Sequence, residues 1–255
     1  MSATLLALLH RDMRVASREL QYFFLRVGLQ PVLFTFIFGY VMPRLGIVQR
    51  GYNSLLLPGI LALSMTLSSM QAVALPLVID FGFTKEIEDR LLAPISIMGV
   101  ALEKIFVGVI QAMIAGLFVL PLAWLIMGGG VNLDASHTIF LIAISILTGW
   151  LFAAFGMVIG TVASPQQVSL IFTALLSPMI FFGCTYYPWA ALQNIRWFQM
   201  MVLINPLVYA SEGFRAALTP QLPHMPLWLI LGGLLGFSIF FTYFGLKSFE
   251  RRAID

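Results

Sequence analysis

The densest charge in the chain lies in one stretch, Asp80-Phe-Gly-Phe-Thr-Lys-Glu-Ile-Glu-Asp-Arg-Leu-Leu-Ala-Pro-Ile-Ser, ending at Ser96. Phe83, Ile87 and Leu91 recur every four residues, while Lys85 with Asp89 and Glu86 with Arg90 form i,i+4 pairs. This spacing predicts a short amphipathic helix that stops before Pro94. Its charged face suits water or a docking protein, and a plain solvated loop helix has the same pattern. Glu212 and Arg215, three apart, have the spacing of a helical ion pair. Such a pair could gate an external exit, or be a surface pair worth little. Two hydroxyl stripes complete the set: Ser64, Ser68 and Gln71 on one helical face, and Ser169, Thr173 and Ser177 on another. Stripes of this kind line a substrate path or an interface between two bundles, or bond their own backbone.

The equipment of common enzymes is missing. Lys85, Lys104 and Lys247 each follow a residue other than glycine, so the chain has no phosphate-binding Gly-Lys-Ser/Thr loop. No glutamate follows His10, His137 or His224, and no Gly-x-Ser-x-Gly occurs, which removes the usual zincin and serine-hydrolase signatures. Cys184 is the only cysteine, excluding an internal disulfide and multi-cysteine metal sites. The expectation is a non-enzyme with no catalytic residues and no metal of its own.

The elements that must position these residues are apolar. Hydrophobic residues fill 60% of the 255 positions and charged ones 10%, against roughly 45–50% and 25% in soluble domains. Crossing about 30 Å of hydrocarbon takes roughly 20 apolar residues. Six regions qualify: Val27 to Met42, Leu55 to Ile79, Ile105 to Met127, Ile139 to Val162, Val168 to Tyr187 and Leu227 to Leu246, the second interrupted by Pro58 and Pro76. Their centres carry no Asp, Glu, Lys, Arg or His, which argues against coupling to an ion gradient.

Ten of the fourteen basic residues fall on the side of the termini and four on the other, so the termini are expected in the cytoplasm. Residues 80–96 are then cytoplasmic and 186–226 external. The apolar run Trp197 to Tyr209 is too short to span, and its Asn205 and Pro206 suit a re-entrant piece. Tyr186, Tyr187, Trp189 and Trp197 suit interfacial anchors. In the fourth span, Gly149, Ala153, Gly156 and Gly160 form a small-residue ridge for helix packing. Over residues 1–26, Arg11, Arg14, Ser17, Arg18 and Gln21 oppose Leu9, Met13, Ala16, Leu20 and Phe24, predicting an interfacial amphipathic helix. The expected fold is therefore a single all-α integral membrane domain over 1–255: six transmembrane helices, the N-terminal interfacial helix and a re-entrant external segment.

The run Lys-Glu-Ile-Glu-Asp-Arg-Leu-Leu-Ala-Pro-Ile-Ser resembles the coupling helix of ABC-2 type transporter permeases. Asn205-Pro-Leu-Val-Tyr-Ala-Ser-Glu-Gly-Phe-Arg215, preceded by Tyr186-Tyr-Pro-Trp, resembles that family's segment between the fifth and sixth spans. The family's frequent Glu-x-Gly-Thr start of the coupling segment is replaced here by Phe-Thr-Lys-Glu-Ile-Glu. The resemblance implies an export permease in a bacterial inner (cell) membrane. It works as a pair of permease halves, expected as a homodimer with a heterodimer as the alternative, with two copies of a separate ABC ATP-binding subunit. ATP and Mg belong to that subunit, and this chain binds no cofactor. Coupling falls to Thr84, Lys85, Glu86, Ile87, Glu88, Asp89, Arg90 and Leu91. The implied cargo is a hydrophobic or amphipathic small molecule, with a polysaccharide or lipid-linked glycan as the alternative. A membrane-embedded enzyme or assembly factor without ATP coupling is the reading from another class.

Overall fold

The computed structural model describes residues 28–48, 51–84, 96–128 and 137–254. The expected interfacial helix over 1–26, and all of the coupling residues after Thr84, lie outside the described residues. Among the described residues the chain is helical and has no strand.

Helix α1 runs through residues 28–44, with a π-helical stretch at Thr35–Val41 and a final α-turn at Met42–Arg44. The Thr35 hydroxyl donates to the Pro31 carbonyl at 2.7 Å, inside the turn where the helix widens. Helix α2, Tyr52–Ile79, continues into a π-helical turn, Asp80–Thr84. The expected interruption at Pro58 and Pro76 does not occur: α2 passes through both prolines. Each proline lacks only its own N–H, and in a membrane helix packed on all sides neighbouring helices absorb that loss. Helix α3 is Ile97–Ile126, and its first turn is capped by Ser96, whose hydroxyl accepts from the Gly99 N–H at 3.2 Å. Helix α4 is Thr138–Val162 and α5 is Val168–Phe181.

The region before the last helix is broken into small pieces: a 3-10 turn Trp189–Asn194, α6 at Arg196–Met201, a second 3-10 turn Val202–Ile204, and α7 at Pro206–Leu218. Helix α8, Leu227–Ile254, completes the described chain. Four of these helices are long and apolar enough to cross a membrane: α2, α3, α4 and α8. The expected fifth span over Val168 to Tyr187 is shortened, because α5 has 14 residues, about 21 Å at helical rise. Pro178 sits in its last turn, and beyond Gly183 the backbone at Cys184 adopts a left-handed φ of 51°, which no continuing helix can hold.

Helix α2 is the centre of the bundle, buried along nearly its whole length from Leu56 to Val78 against α3, α4 and α7. The small-residue ridge of α4 makes that packing close. A Cβ placed on Gly156 would stand 2.4 Å from the Met70 carbonyl oxygen of α2, and one on Gly160 would stand 3.0 Å from Ala74. Gly149 meets Ala112 and the Val109 backbone of α3 at 3.2 Å. Apolar burial does not drive helices together inside lipid, so this backbone-to-backbone approach supplies the dispersion contacts that hold the bundle. Helix α8 lies beside α4 in the same direction. The Trp150 indole donates to the Thr242 hydroxyl at 3.0 Å, the Phe155 and Phe241 rings stack at 4.4 Å, and the Thr161 and Ser248 hydroxyls share a 2.7 Å bond.

Candidate functional site

The two ends of α2 carry the two polar constellations of the fold, separated by about 37 Å from Leu55 to Asp80 at helical rise. At the first end the local sequence builds α7. Asn205 caps it, its side-chain oxygen accepting from the Leu207 N–H at 3.0 Å while its amide donates to the Met179 carbonyl at 2.8 Å. Pro206 takes the first helical position, where a missing N–H costs nothing. Every residue of α7 from Pro206 to Leu218 is buried, including Glu212 and Arg215.

Glu212 and Arg215 form a direct ion pair with both side chains fully enclosed, so the surface-pair alternative fails. Each partner also has work beyond the pair. The Glu212 carboxylate accepts from the Trp189 N–H at 2.8 Å and from the Met225 N–H at 2.7 Å. The Arg215 guanidinium donates to the Leu55 carbonyl at 3.3 Å and to the Cys184 carbonyl at 3.0 Å. One ion pair thus joins the start of α2, the turn after α5, the 3-10 turn and the approach to α8. The Cys184 carbonyl and the Trp189 and Met225 N–H groups lie at irregular chain positions that no helix ladder serves, and charge-assisted bonds satisfy them, while Leu55 lies in the first turn of α2. Gly59 permits the same approach, since a Cβ there would sit 1.9 Å from the Thr185 carbonyl oxygen.

The aromatic residues around this network are mostly structural. The Trp189 indole donates to the Gln199 carbonyl at 3.1 Å. Tyr186 packs between Phe34 and Phe38 of α1, with ring centroids 5.3 Å from each, while Trp197 is exposed.

At the other end of α2, Asp80 and Lys104 face each other at 3.9 Å, both largely buried. They sit on opposite sides of the 85–95 segment, one where α2 ends and one inside the first turns of α3. The Phe81 ring lies edge-on to Phe249 of α8, and the Arg252 guanidinium stands 5.1 Å over the same ring. Arg252 also donates to the Thr161 carbonyl and, at 3.2 Å, to the Ala163 carbonyl. It thereby places a cation on the open C-terminal carbonyls of α4, where the helix dipole favours one. A Cβ on Gly82 would meet the Pro165 ring at 2.3 Å, so the turn between α4 and α5 touches the end of α2 directly. The base of the expected coupling segment is therefore in contact with α3, α8 and the α4–α5 turn, and reaches the end of α4 through Arg252. Sequence reasoning missed Asp80, Lys104, Phe81 and Arg252 as parts of one cluster. The available signal was the position of Asp80 and Lys104 at the two edges of the charged stretch.

The hydroxyl stripes have different surroundings. Ser64 and Ser68 are buried within the bundle, with the Ser68 hydroxyl donating to the Gln111 carbonyl at 3.2 Å, and Gln71 is half-buried. Ser169, Thr173 and Ser177 are exposed along one side of α5, and only Thr173 bonds back along its helix, to the Ser169 carbonyl at 2.9 Å. The two stripes are not on a common surface.

A bundle with four helices long and apolar enough to cross a membrane defines a multi-pass helical membrane protein. The ABC-2 type transporter family matches residues 3–219, and the chain belongs to that family. It is an ABC permease component and not itself the ATPase; permeases of this family normally pair with an ATP-binding subunit. No curated protein matches the chain.

Proposed function

We propose that this chain is the permease half of an ATP-driven exporter with six spans and both termini in the cytoplasm, exporting a hydrophobic or amphipathic small molecule. The observation that carries this reading is the family match across residues 3–219, which includes both the charged 80–96 stretch and the Glu212–Arg215 segment. Helix α1 and the short α5 supply the two further spans, the latter completed by the non-helical backbone through Tyr187, which packs inside protein rather than against lipid.

In this reading Thr84, Lys85, Glu86, Ile87, Glu88, Asp89, Arg90 and Leu91 dock on the ATP-binding subunit, and Asp80 with Lys104 fastens the two ends of that docking segment. Motion of the segment reaches α8 through the edge contact of Phe81 with Phe249 at 5.7 Å and the α4–α5 turn through Gly82, which leaves no room for a side chain beside Pro165. The exposed Ser169, Thr173 and Ser177 face supports a pair of permease halves. Hydroxyls on an open helix face are poorly suited to lipid, and a second copy or the pathway between copies gives them partners.

Affinity purification from the native membrane tests the proposal, with ATPase activity and export measured before and after the charge reversals Glu86→Lys, Glu88→Lys and Asp89→Lys. Copurification of a nucleotide-binding subunit, with hydrolysis uncoupled from export in the triple variant, is the expected result. Full export by a correctly inserted triple variant would sink it. Export restricted to glycans would overturn the small-molecule assignment while leaving the permease reading intact.

A further inference from the structure

An open groove of about 510 Å³ runs between α4 and α8, within the size range of about 300–1,000 Å³ typical of small-ligand sites. Ile146 and Trp150 form one wall; Leu235, Ile239 and Leu246 form the other, and Ser238 lies between them. The hollow exists because Ser238 is small where its neighbours are large, while the Trp150 ring is held across the gap by its bond to Thr242 and by edge contact with Phe106 at 5.3 Å. From Leu235 to Leu246 the groove measures about 16 Å at helical rise, close to half of a hydrocarbon core of about 30 Å. Its length is that of one leaflet.

The charge at its end identifies the occupant. Ile239 and Tyr243, both exposed, stand in an i,i+4 row that continues directly into Lys247 and Arg251, also exposed, with Glu250 one position off the row. An apolar slot one leaflet deep thus opens under two cations on the same helix face. We propose that this groove binds one acyl chain of an anionic phospholipid whose phosphate is held by Lys247 and Arg251. A second copy of the chain is a poor occupant, since a two-fold contact along this row sets Lys247 and Arg251 against themselves. The site is independent of cargo and of the side of the membrane on which the termini lie.

The full chain, extracted in mild detergent with its copurifying partners, is tested by native mass spectrometry of retained lipid. It is then tested again after exchange into nanodiscs of dioleoyl phosphatidylglycerol or dioleoyl phosphatidylcholine. The wild type is expected to retain phosphatidylglycerol in preference. Lys247→Gln and Arg251→Gln are each expected to lower that preference roughly fivefold, the effect of one basic residue at an anionic surface. Ser238→Leu, which fills the slot, is expected to lose the retained lipid, while Leu117→Phe on the exposed face of α3 keeps it. Equal retention of the two lipids by the wild type, or a preference unchanged in the Lys247→Gln/Arg251→Gln double variant, would overturn the proposal even if Ser238→Leu fails to fold. Cross-linking of a Tyr243→Cys variant to a second copy or to another polypeptide would also overturn it.

Discussion

Exchanging the two charges at positions 212 and 215 separates an ion pair from a brace. In the variant Glu212→Arg/Arg215→Glu the mutual attraction is kept, so a self-contained pair would be restored. The structure leads to the opposite expectation. Position 212 must accept from the Trp189 and Met225 N–H groups, and position 215 must donate to the Leu55 and Cys184 carbonyls. After the exchange, two N–H groups face a guanidinium and two carbonyls face a carboxylate. Four backbone groups, two buried and two part-buried, then lose these bonds, at about 1–3 kcal/mol each, giving a total of at least about 4 kcal/mol. The single variant Arg215→Met strands a buried carboxylate and is expected to cost about 3–5 kcal/mol. Both therefore lower the melting temperature by roughly 10 °C, taking about 2–4 °C per kcal/mol for a chain of this size. Thermal unfolding of the purified permease in detergent, read alongside export, is the assay. Recovery of wild-type melting by the exchanged variant, with Arg215→Met destabilised, would refute the brace. A gate predicts a third pattern, altered export at unaltered melting temperature.

Gly156→Val places a side chain against the Met70 carbonyl, a backbone atom that cannot step aside; a loss of about 1–3 kcal/mol, or failure to insert, is expected in a melting assay. Arg252→Met removes two charge-assisted bonds from the end of α4, and a stability loss of roughly 1.5–3 kcal/mol for each should follow, without change in the affinity for an ATP-binding partner. Asp80→Asn keeps the shape at the base of the charged segment but weakens its link to Lys104, so ATP hydrolysis should continue while export per ATP falls; an unchanged ratio would remove Asp80 from the coupling path. Ser169→Leu/Ser177→Leu removes two of the three hydroxyls from the open face of α5, and dissociation of the permease pair on size-exclusion chromatography is the expected outcome.

The physical class of this protein was written in its composition. A chain 60% hydrophobic can satisfy its backbone in lipid only as helices or a closed barrel, and apolar runs of about 20 residues select helices and locate α2, α3, α4 and α8 to within a few residues at most ends. The ridge of Gly149, Ala153, Gly156 and Gly160 was likewise legible as a packing surface, because only small residues let two helix backbones meet. Tertiary structure decided what runs of hydropathy could not. Hydropathy does not distinguish a proline that breaks a helix from one whose neighbours tolerate it, so Pro58 and Pro76 interrupt nothing. Nor does it register the left-handed turn at Cys184 that shortens α5. The three-residue spacing of Glu212 and Arg215 announced an ion pair, but its burial and its four backbone partners come from segments as distant as Leu55 and Met225. The cluster of Asp80, Lys104, Phe81 and Arg252 depends on the same fact: separate helix ends become one site only when packing brings them together.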